Sequence, residues 1–233
     1  MEFFCNFIWE QGQRIKNEDS LSIQEIKKDN KCYFVALVCD GVGGLQQGED
    51  ASTYVAHAFR RMFFDLVKNK HRMPWRKVRN IVYRKIYQCH KKLQIYGNER
   101  QIQLGTTLSM ILIIGKRGYL FHVGDSAVFY GKKKLKRLTP IQHTDSGALV
   151  QAIGTFTTLK ITFKKIRVHR GCVILLASDG FYQKCEKEIC KKEWIQKIAC
   201  DEKKIAIQLQ CTKDVVQKLG EKDNISAICI KVQ

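Results

Sequence analysis

Alternating and continuous runs of apolar residues predict β-strands in the first part of the chain. Apolar side chains alternate with others at Phe3, Cys5 and Phe7, and a similar alternation over residues 21–26 predicts a second strand. Residues 32–39 are continuously apolar, as expected of a strand that is buried on both faces. The chain therefore opens with three strands, the third of them central to a sheet.

Helical periodicity follows, and strands then return. Apolar residues at helical spacing predict a helix over residues 49–68 and a second one after Pro74, extending to about residue 93. Further strands are predicted at residues 106–114, 118–123, 127–130, 134–138, 159–168, 172–177 and 225–232, with helices at 187–199 and 203–219. Helices grouped in two blocks between runs of strands favour an α+β layered sandwich over a wound parallel sheet.

Composition supports one soluble domain over residues 1–233. Hydrophobic residues make up 45% of the 233, with only two prolines, which argues against disorder. No apolar run approaches the roughly eighteen residues that a membrane span needs. The first residues lack a basic leader and a small-residue cleavage site, so we expect a cytoplasmic protein and a monomer.

The ten cysteines are scattered through the chain. Cys32, Cys39, Cys172 and Cys229 lie in or beside apolar strand-like runs, where free cysteine behaves as a small hydrophobic residue. There is no Cys-x-x-Cys pair and no histidine pair at zinc-finger spacing. We therefore expect reduced core cysteines and no structural zinc.

The net charge of +19 makes an acidic protein or nucleic acid a candidate partner. Residues 60–92 hold twelve Lys or Arg and a single acid, Asp65. These cations are interpreted as the solvated faces of two helices, because no nucleic-acid-binding motif accompanies them. Nucleic acid stays open as an alternative partner, although an acidic phosphoprotein fits the chemistry below better.

Aspartates stand at the ends of several predicted strands. Asp40, Asp125 and Asp179 each follow an apolar strand, and Asp223 precedes one. Taken singly, such Asp-Gly and Asp-Asn pairs usually mark turns. Two carboxylates about 4 Å apart repel by roughly 4 kcal/mol at an effective dielectric constant of 20. A sandwich that gathers all four at one end therefore calls for divalent cations, and oxygen-only ligands favour Mg²⁺ or Mn²⁺.

The order of motifs resembles one family along essentially the whole chain: the metal-dependent serine/threonine protein phosphatases of type 2C, or PPM family, in their bacterial branch. The motifs are Arg14-x-x-Asn17-Glu18-Asp19, Asp40-Gly41-x-Gly43-Gly44, Gly105-Thr106-Thr107, Gly124-Asp125-Ser126, Leu138-Thr139, Ala152-Ile153-Gly154, Ser178-Asp179-Gly180 and Asp223-Asn224. The resemblance implies a four-layer α/β/β/α sandwich with two central, mostly antiparallel sheets flanked by helices. It also implies a cleft at one end that holds two Mn²⁺ or Mg²⁺ ions.

The resemblance also implies a role for each matching residue. Asp40 would bridge both metals, and the Gly41 carbonyl would bind one of them. Asp179 and Asp223 would be further ligands of the first metal, and Glu18 would be a ligand of the second. Asp19 would hold ligand waters. Asp125 and Asp179 would form a third metal position. Arg14 would grip the substrate phosphate with its planar guanidinium.

The implied reaction is hydrolysis of phosphoserine and phosphothreonine in proteins, opposing a serine/threonine kinase. Two cations lower the pKa of a bridging water, and the resulting hydroxide attacks phosphorus in line. Val42 stands where many eukaryotic relatives have a histidine, so a metal-bound water is the expected acid. His143 is a weaker candidate for that role.

Departures from the family pattern keep a second interpretation open. The flap that relatives carry beside the site is reduced to residues 140–151, and Val42 replaces the histidine of many eukaryotic relatives. Ala127 also replaces an arginine often found after Gly-Asp-Ser. A catalytically inactive pseudophosphatase that binds metal or a phosphoprotein is therefore the alternative. A role in a partner-switching pathway also stays open, because the phosphatases of such pathways share this ligand pattern. The substrate would then be a phosphorylated anti-sigma-antagonist protein.

Overall fold

Ten strands and six helices make up the fold in the computed structural model, which describes residues 1–42, 47–68, 73–140, 151–155 and 157–233. The strands are β1 (Phe3–Glu10), β2 (Asp19–Lys28), β3 (Lys31–Asp40), β4 (Leu108–Ile114), β5 (Arg117–Val123), β6 (Ala127–Gly131), β7 (Leu135–Arg137), β8 (Thr162–Arg167), β9 (Val173–Ala177) and β10 (Ile225–Val232). The helices are α1 (Gly48–Lys68), α2 (Trp75–Arg100), α3 (Asp179–Tyr182), α4 (Glu186–Ile189), α5 (Lys192–Gln196) and α6 (Glu202–Lys218).

The strands form two five-stranded sheets, in which every described pairing is antiparallel. The first sheet has the order β1-β10-β9-β6-β7, and the second has the order β2-β3-β4-β5-β8. The α+β class predicted from the sequence is confirmed.

Three layers of core hold the fold together. The first lies between the two sheets, where Phe34 of the second sheet meets residues such as Ile228 of the first. The second lies between the second sheet and helices α1 and α2, where Phe59 is fully buried. The third lies between the first sheet and helices α3 to α6, and includes Leu209. The order of layers is therefore α/β/β/α, as the resemblance implied.

Strand β3 shows why its sequence is continuously apolar. Residues Phe34, Ala36 and Val38 face the core between the sheets. Val35 and Leu37 face the opposite way, into the core beneath the helices. Both faces of the strand are covered, so no position on it favours a polar side chain.

The structure corrects one local prediction. The helix predicted over residues 187–199 is two short helices, α4 and α5, because Lys191 between them is extended. That break lets Trp194 and Ile195 both reach the core.

The predicted first strand is confirmed as β1, and one of its apolar side chains faces solvent. Phe7 is 53% exposed and lines an open groove with Trp9 and residues of β2.

All ten cysteines are free, and six of them are buried. The four predicted in the core, Cys32, Cys39, Cys172 and Cys229, are among the six. In the described ranges, no helix has the length and hydropathy needed to cross a membrane.

Candidate active site

The ends of β2 and β3 bring the first acidic residues together. The antiparallel register places Asp19 directly opposite Asp40, at the point where both strands reach the edge of the sandwich. One residue further along, the Gly41 amide donates a hydrogen bond of 3.0 Å to the Glu18 carbonyl oxygen. Backbone pairing alone therefore gathers Glu18, Asp19, Asp40 and Gly41.

Two threonines fix the backbone of Asp40. The Thr106 hydroxyl donates to the Asp40 carbonyl oxygen at 2.9 Å, and the Asp40 amide donates to Thr107 Oγ1 at 3.0 Å. Thr107 Oγ1 also lies 2.7 Å from Ser126 Oγ, which ties the loop that carries Asp125 to the same point. The Thr-Thr motif therefore positions the central aspartate and links it to Asp125.

Glycine at position 180 permits the close approach of Asp179 and Asp223. A Cβ atom on Gly180 would lie 2.2 Å from the Asn224 carbonyl oxygen and 3.3 Å from Asp223 Cβ. Only a residue without a side chain fits between these backbones. Helix α3 can therefore begin at Asp179 against the start of β10.

The Asn224 side chain fastens the loop of residues 11–18 to this end of the sheet. Its Oδ1 accepts from the Glu18 amide at 2.9 Å, and its Nδ2 donates to the Gln11 and Lys16 carbonyl oxygens at 2.8 and 2.9 Å. The Asn224 side chain thus binds three backbone groups of the 11–18 loop. Through it, Glu18 lies beside Asp223.

An arginine and a tyrosine that the sequence analysis did not single out support Asp125. The Tyr182 hydroxyl donates to the Asp125 carbonyl oxygen at 2.7 Å. Arg137 in turn donates to Tyr182 Oη at 3.0 Å and forms an ion pair with Glu186 at 3.1 Å. Arg137 is one of 41 basic residues and belongs to no motif, so its role could not be predicted from the sequence.

The carboxylates act on one another electrostatically. Burial raises the pKa of Asp40 well above its usual range, and the negative charges of Asp19, Asp179, Asp125 and Asp223 raise it further. Burial, followed by the charges of Asp125 and Asp223, raises the pKa of Asp179 to about 7. Like charges are therefore concentrated here, and Arg14 is the basic residue that forms an ion pair with one of these five aspartates among the described residues. An excess of buried negative charge is the condition in which a divalent cation binds favourably.

Asp19 is the most deeply buried of these acids, with only 2% of its surface exposed. Neither of its carboxylate oxygens has a hydrogen-bond partner at acceptable geometry, although the Ser178 and Ser226 hydroxyls lie close enough to favour its charged form. Burial raises the pKa of Asp19 to about 7. A buried carboxylate without donors is unfavourable unless another group satisfies it.

Arg14 binds Asp223 in this structure. Its Nε donates to Asp223 Oδ1 at 2.9 Å and its Nη2 donates to Oδ2 at 2.5 Å, which is the two-pronged geometry of a guanidinium on a carboxylate. The side chain of Arg14 remains 46% exposed. Two residues with separate expected roles, phosphate binding and metal binding, therefore neutralise each other here.

The predicted site residues that the structure describes all lie at this one end of the sandwich. In the described ranges, no three His, Cys, Asp or Glu side chains are arranged as a finished set of ligands around one point. The donors nevertheless fit Mn²⁺ or Mg²⁺ chemically, because they are oxygens only and the buried Asp19 carboxylate lacks partners. The turn residues Gly43 and Gly44, and His143 in the shortened flap, lie outside the described residues.

The family model for protein phosphatase 2C matches residues 11–210. No curated protein sequence matches the chain.

Several solved structures share the fold. Serine/threonine phosphatase Stp1 from Staphylococcus aureus is 19% identical, with a TM-score of 0.83 over 100% of this chain and 96% of that one. The S. agalactiae serine/threonine phosphatase is 17% identical, with a TM-score of 0.80 over 100% of both chains. The catalytic domain of the phosphatase PstP, in complex with two manganese ions, is 20% identical, with a TM-score of 0.79 over 99% of both chains.

Proposed function

Because this chain belongs to the protein phosphatase 2C family, we propose that its acidic centre hydrolyses phosphoserine and phosphothreonine in proteins with two bound Mn²⁺ or Mg²⁺ ions. The observation that carries the proposal is the buried Asp19 carboxylate, which has no hydrogen-bond partner and lies opposite Asp40 in a cluster of oxygen donors. Such a cluster is unfavourable alone and favourable around divalent cations.

The acidic residues of the centre would serve as ligands of the two ions. Asp40 would contact both, and the Gly41 carbonyl would contact one of them. Asp179 and Asp223 would complete the first position, and Glu18 would serve the second. When bound, the ions would supply an activated water as the nucleophile and would neutralise charge on the phosphoryl oxygens.

Two further residues would complete the metal shell. Asp19, behind Asp40 in the β2–β3 register, would orient the surrounding water through its unpaired oxygens. Asp125 is positioned by Tyr182 and would serve, with Asp179, a third ion position.

Arg14 would orient the substrate. Its fork of N–H donors matches the oxygens of a phosphoryl group as well as those of Asp223. If Asp223 held a cation, the Arg14 guanidinium would lose this carboxylate partner and would be available to the phosphoryl group. Substrate binding would then use an arginine that is already half-exposed at the site.

The expected partners are phosphorylated proteins and the serine/threonine kinase that modifies them. The proposed setting is the cytoplasm, and the proposed state is a monomer.

The test is turnover of phosphothreonine and phosphoserine peptides with and without Mn²⁺. We expect activity that is abolished by EDTA and reduced roughly 10²–10³-fold by Asp40→Asn. The matched control is Asp214→Asn, which removes a carboxylate that is 51% exposed on α6 and should leave activity unchanged. Turnover that persists in EDTA and in Asp40→Asn would contradict the proposal. Calorimetric Mn²⁺ binding without turnover of any peptide would select the pseudophosphatase instead.

A further inference from the structure

A groove of about 790 Å³ lies between the outer faces of α1 and α2. Arg61 of α1 and Lys85, Lys91 and Lys92 of α2 line it, and three of these four cations are exposed, with Lys85 half-buried. Tyr54 and Ile95 also line it, and they are exposed by 37% and 45%. The groove thus combines a strongly basic wall with two solvent-facing apolar side chains.

No acidic residue lines this groove among the residues that the structure describes. Its lysines and arginine form no ion pair with any described carboxylate. The groove between α6 and the short helices α4 and α5 differs, because Glu188 and Glu193 contribute to it. The positive charge between α1 and α2 is therefore not neutralised within the described part of the chain.

The positive field also acts on a buried neighbour. Burial raises the pKa of the Cys89 thiol to about 11, and the charges of Lys85 and Lys92 act against that rise. The two ammonium groups therefore act on a thiol that also lines the groove.

Helix α1 connects the groove to the acidic centre. Gly48, the first residue of α1, packs against the Glu18 side chain, and its amide favours the charged form of that carboxylate. At a rise of about 1.5 Å per residue, Tyr54 lies about 9 Å and Arg61 about 20 Å along the helix from Gly48. Helix α2 runs antiparallel beside it, since Tyr96 near its end donates to Gln47 at 3.4 Å.

We propose that this α1–α2 groove binds an acidic segment of the phosphoprotein substrate while the phosphorylated residue occupies the acidic centre. The proposal rests on the phosphatase function proposed above and adds to it a substrate class. An extended peptide advances about 3.3 Å per residue, so the acidic side chains belong roughly three to six residues from the phosphorylated one. An apolar residue nearer to it would contact Tyr54.

The groove fits an acidic peptide better than a nucleic acid. Among the described residues that line it, Tyr54 is the one Phe, Tyr or Trp, with His57 beside it, whereas single-stranded nucleic acids are bound on a series of stacking platforms. The distance of about 9 Å along α1 from Gly48 to Tyr54 is also one that an extended peptide covers in about three residues, so one peptide can occupy both sites. Long-range attraction by the basic surface would speed the encounter with such a substrate.

The test compares two pairs of adjacent exposed lysines. Lys91→Gln/Lys92→Gln removes two charges from the groove, and Lys203→Gln/Lys204→Gln removes two from α6 on the opposite helix layer. Two fluorescein-labelled phosphothreonine peptides would be used, one with glutamates three to six residues from the phosphate and one with glutamines there. Binding is measured by anisotropy in EDTA, and turnover is measured with Mn²⁺.

We expect the groove variant to weaken binding and raise KM for the acidic peptide about fivefold at low salt, with kcat unchanged. The α6 variant and the neutral peptide should show no such change. Equal affinity of the wild-type protein for both peptides would overturn the proposal, as would equal effects of the two lysine pairs. Tighter binding of single-stranded RNA, or of vesicles containing phosphatidylserine, through Lys91 and Lys92 would also overturn it.

Failure of the phosphatase function would be seen separately. Hydrolysis of p-nitrophenyl phosphate with Mn²⁺ needs no flanking residues, and its absence in the wild-type protein would count against the function alone. The anisotropy measurement would still decide whether the groove binds the acidic peptide.

Discussion

Replacing Asp19 by asparagine should stabilise the protein in the absence of metal. The Asp19 carboxylate is 2% exposed, its oxygens lack hydrogen-bond partners, and its pKa is raised from 3.8 to about 7. At about 1.4 kcal/mol per pKa unit, keeping this carboxylate ionised in the folded state costs about 4 kcal/mol above pH 7. A buried asparagine amide that lacks full hydrogen bonding costs about 1–3 kcal/mol, so a net gain of about 2 kcal/mol is expected.

The sign of the effect depends on pH. Between about pH 4 and pH 7, folded Asp19 holds a proton that the unfolded chain has released, so this group makes the stability of the wild-type protein fall as pH rises. Asparagine does not titrate. The stability difference between Asp19→Asn and wild type should therefore be about 4 kcal/mol more favourable to the variant at pH 8 than at pH 3.5.

Guanidinium chloride unfolding in EDTA at several pH values measures this difference, and Asp214→Asn on the surface of α6 is the control. Saturating Mn²⁺ should reverse the order, raising the melting temperature of the wild-type protein more than that of Asp19→Asn. An Asp19→Asn variant that is less stable than wild type at pH 8 in EDTA would refute the reasoning. So would a stability difference that does not change with pH.

Three further predictions concern other parts of the molecule. Burial, together with the charge of Arg137, lowers the pKa of His122 from 6.5 to about 3. Below about pH 6.5 the unfolded chain therefore takes up a proton that the folded protein does not, and the free energy of unfolding falls. His122→Asn should recover about 2 kcal/mol of that loss at pH 5, as measured by urea unfolding. Gly180→Ala should reduce the free energy of unfolding by more than about 2 kcal/mol, because its Cβ would lie 2.2 Å from the Asn224 carbonyl oxygen; unchanged thermal stability would contradict this. Arg137→Met should lower stability by about 2 kcal/mol and weaken Mn²⁺ binding measured by calorimetry, because the support of Asp125 through Tyr182 is lost.

The strands and the gathering of aspartates at one end of the sandwich could be predicted from the sequence for physical reasons. Strand β3 is recognisable because both of its faces are covered, and Asp40 is recognisable because it ends that strand beside a glycine. Antiparallel pairing then brings Asp19 opposite Asp40 without any long-range information. Local pattern and strand register thus carry much of the site.

Long-range side-chain pairing could not be predicted in the same way. Nothing in the local sequence indicates that Arg14 pairs with Asp223, which is 209 positions away. The break at Lys191 could not be predicted, because helical periodicity depends only on the spacing of apolar residues. The extended Lys191 lets Trp194 pack against α6, where its indole N–H donates to Thr212 at 3.0 Å. Tertiary packing overrides periodicity in such short segments.

The acidic residues come from both sheets: Asp19 and Asp40 terminate strands of one, while Asp179 and Asp223 flank strands of the other. Mutual repulsion among these carboxylates opposes the packing of the two sheets at this end, and a divalent cation held by residues of both sheets would offset it. Amide hydrogen exchange should therefore slow in β3 and β10 together when Mn²⁺ is added, and the proposed activity and the cohesion of the two sheets would then depend on the same ions.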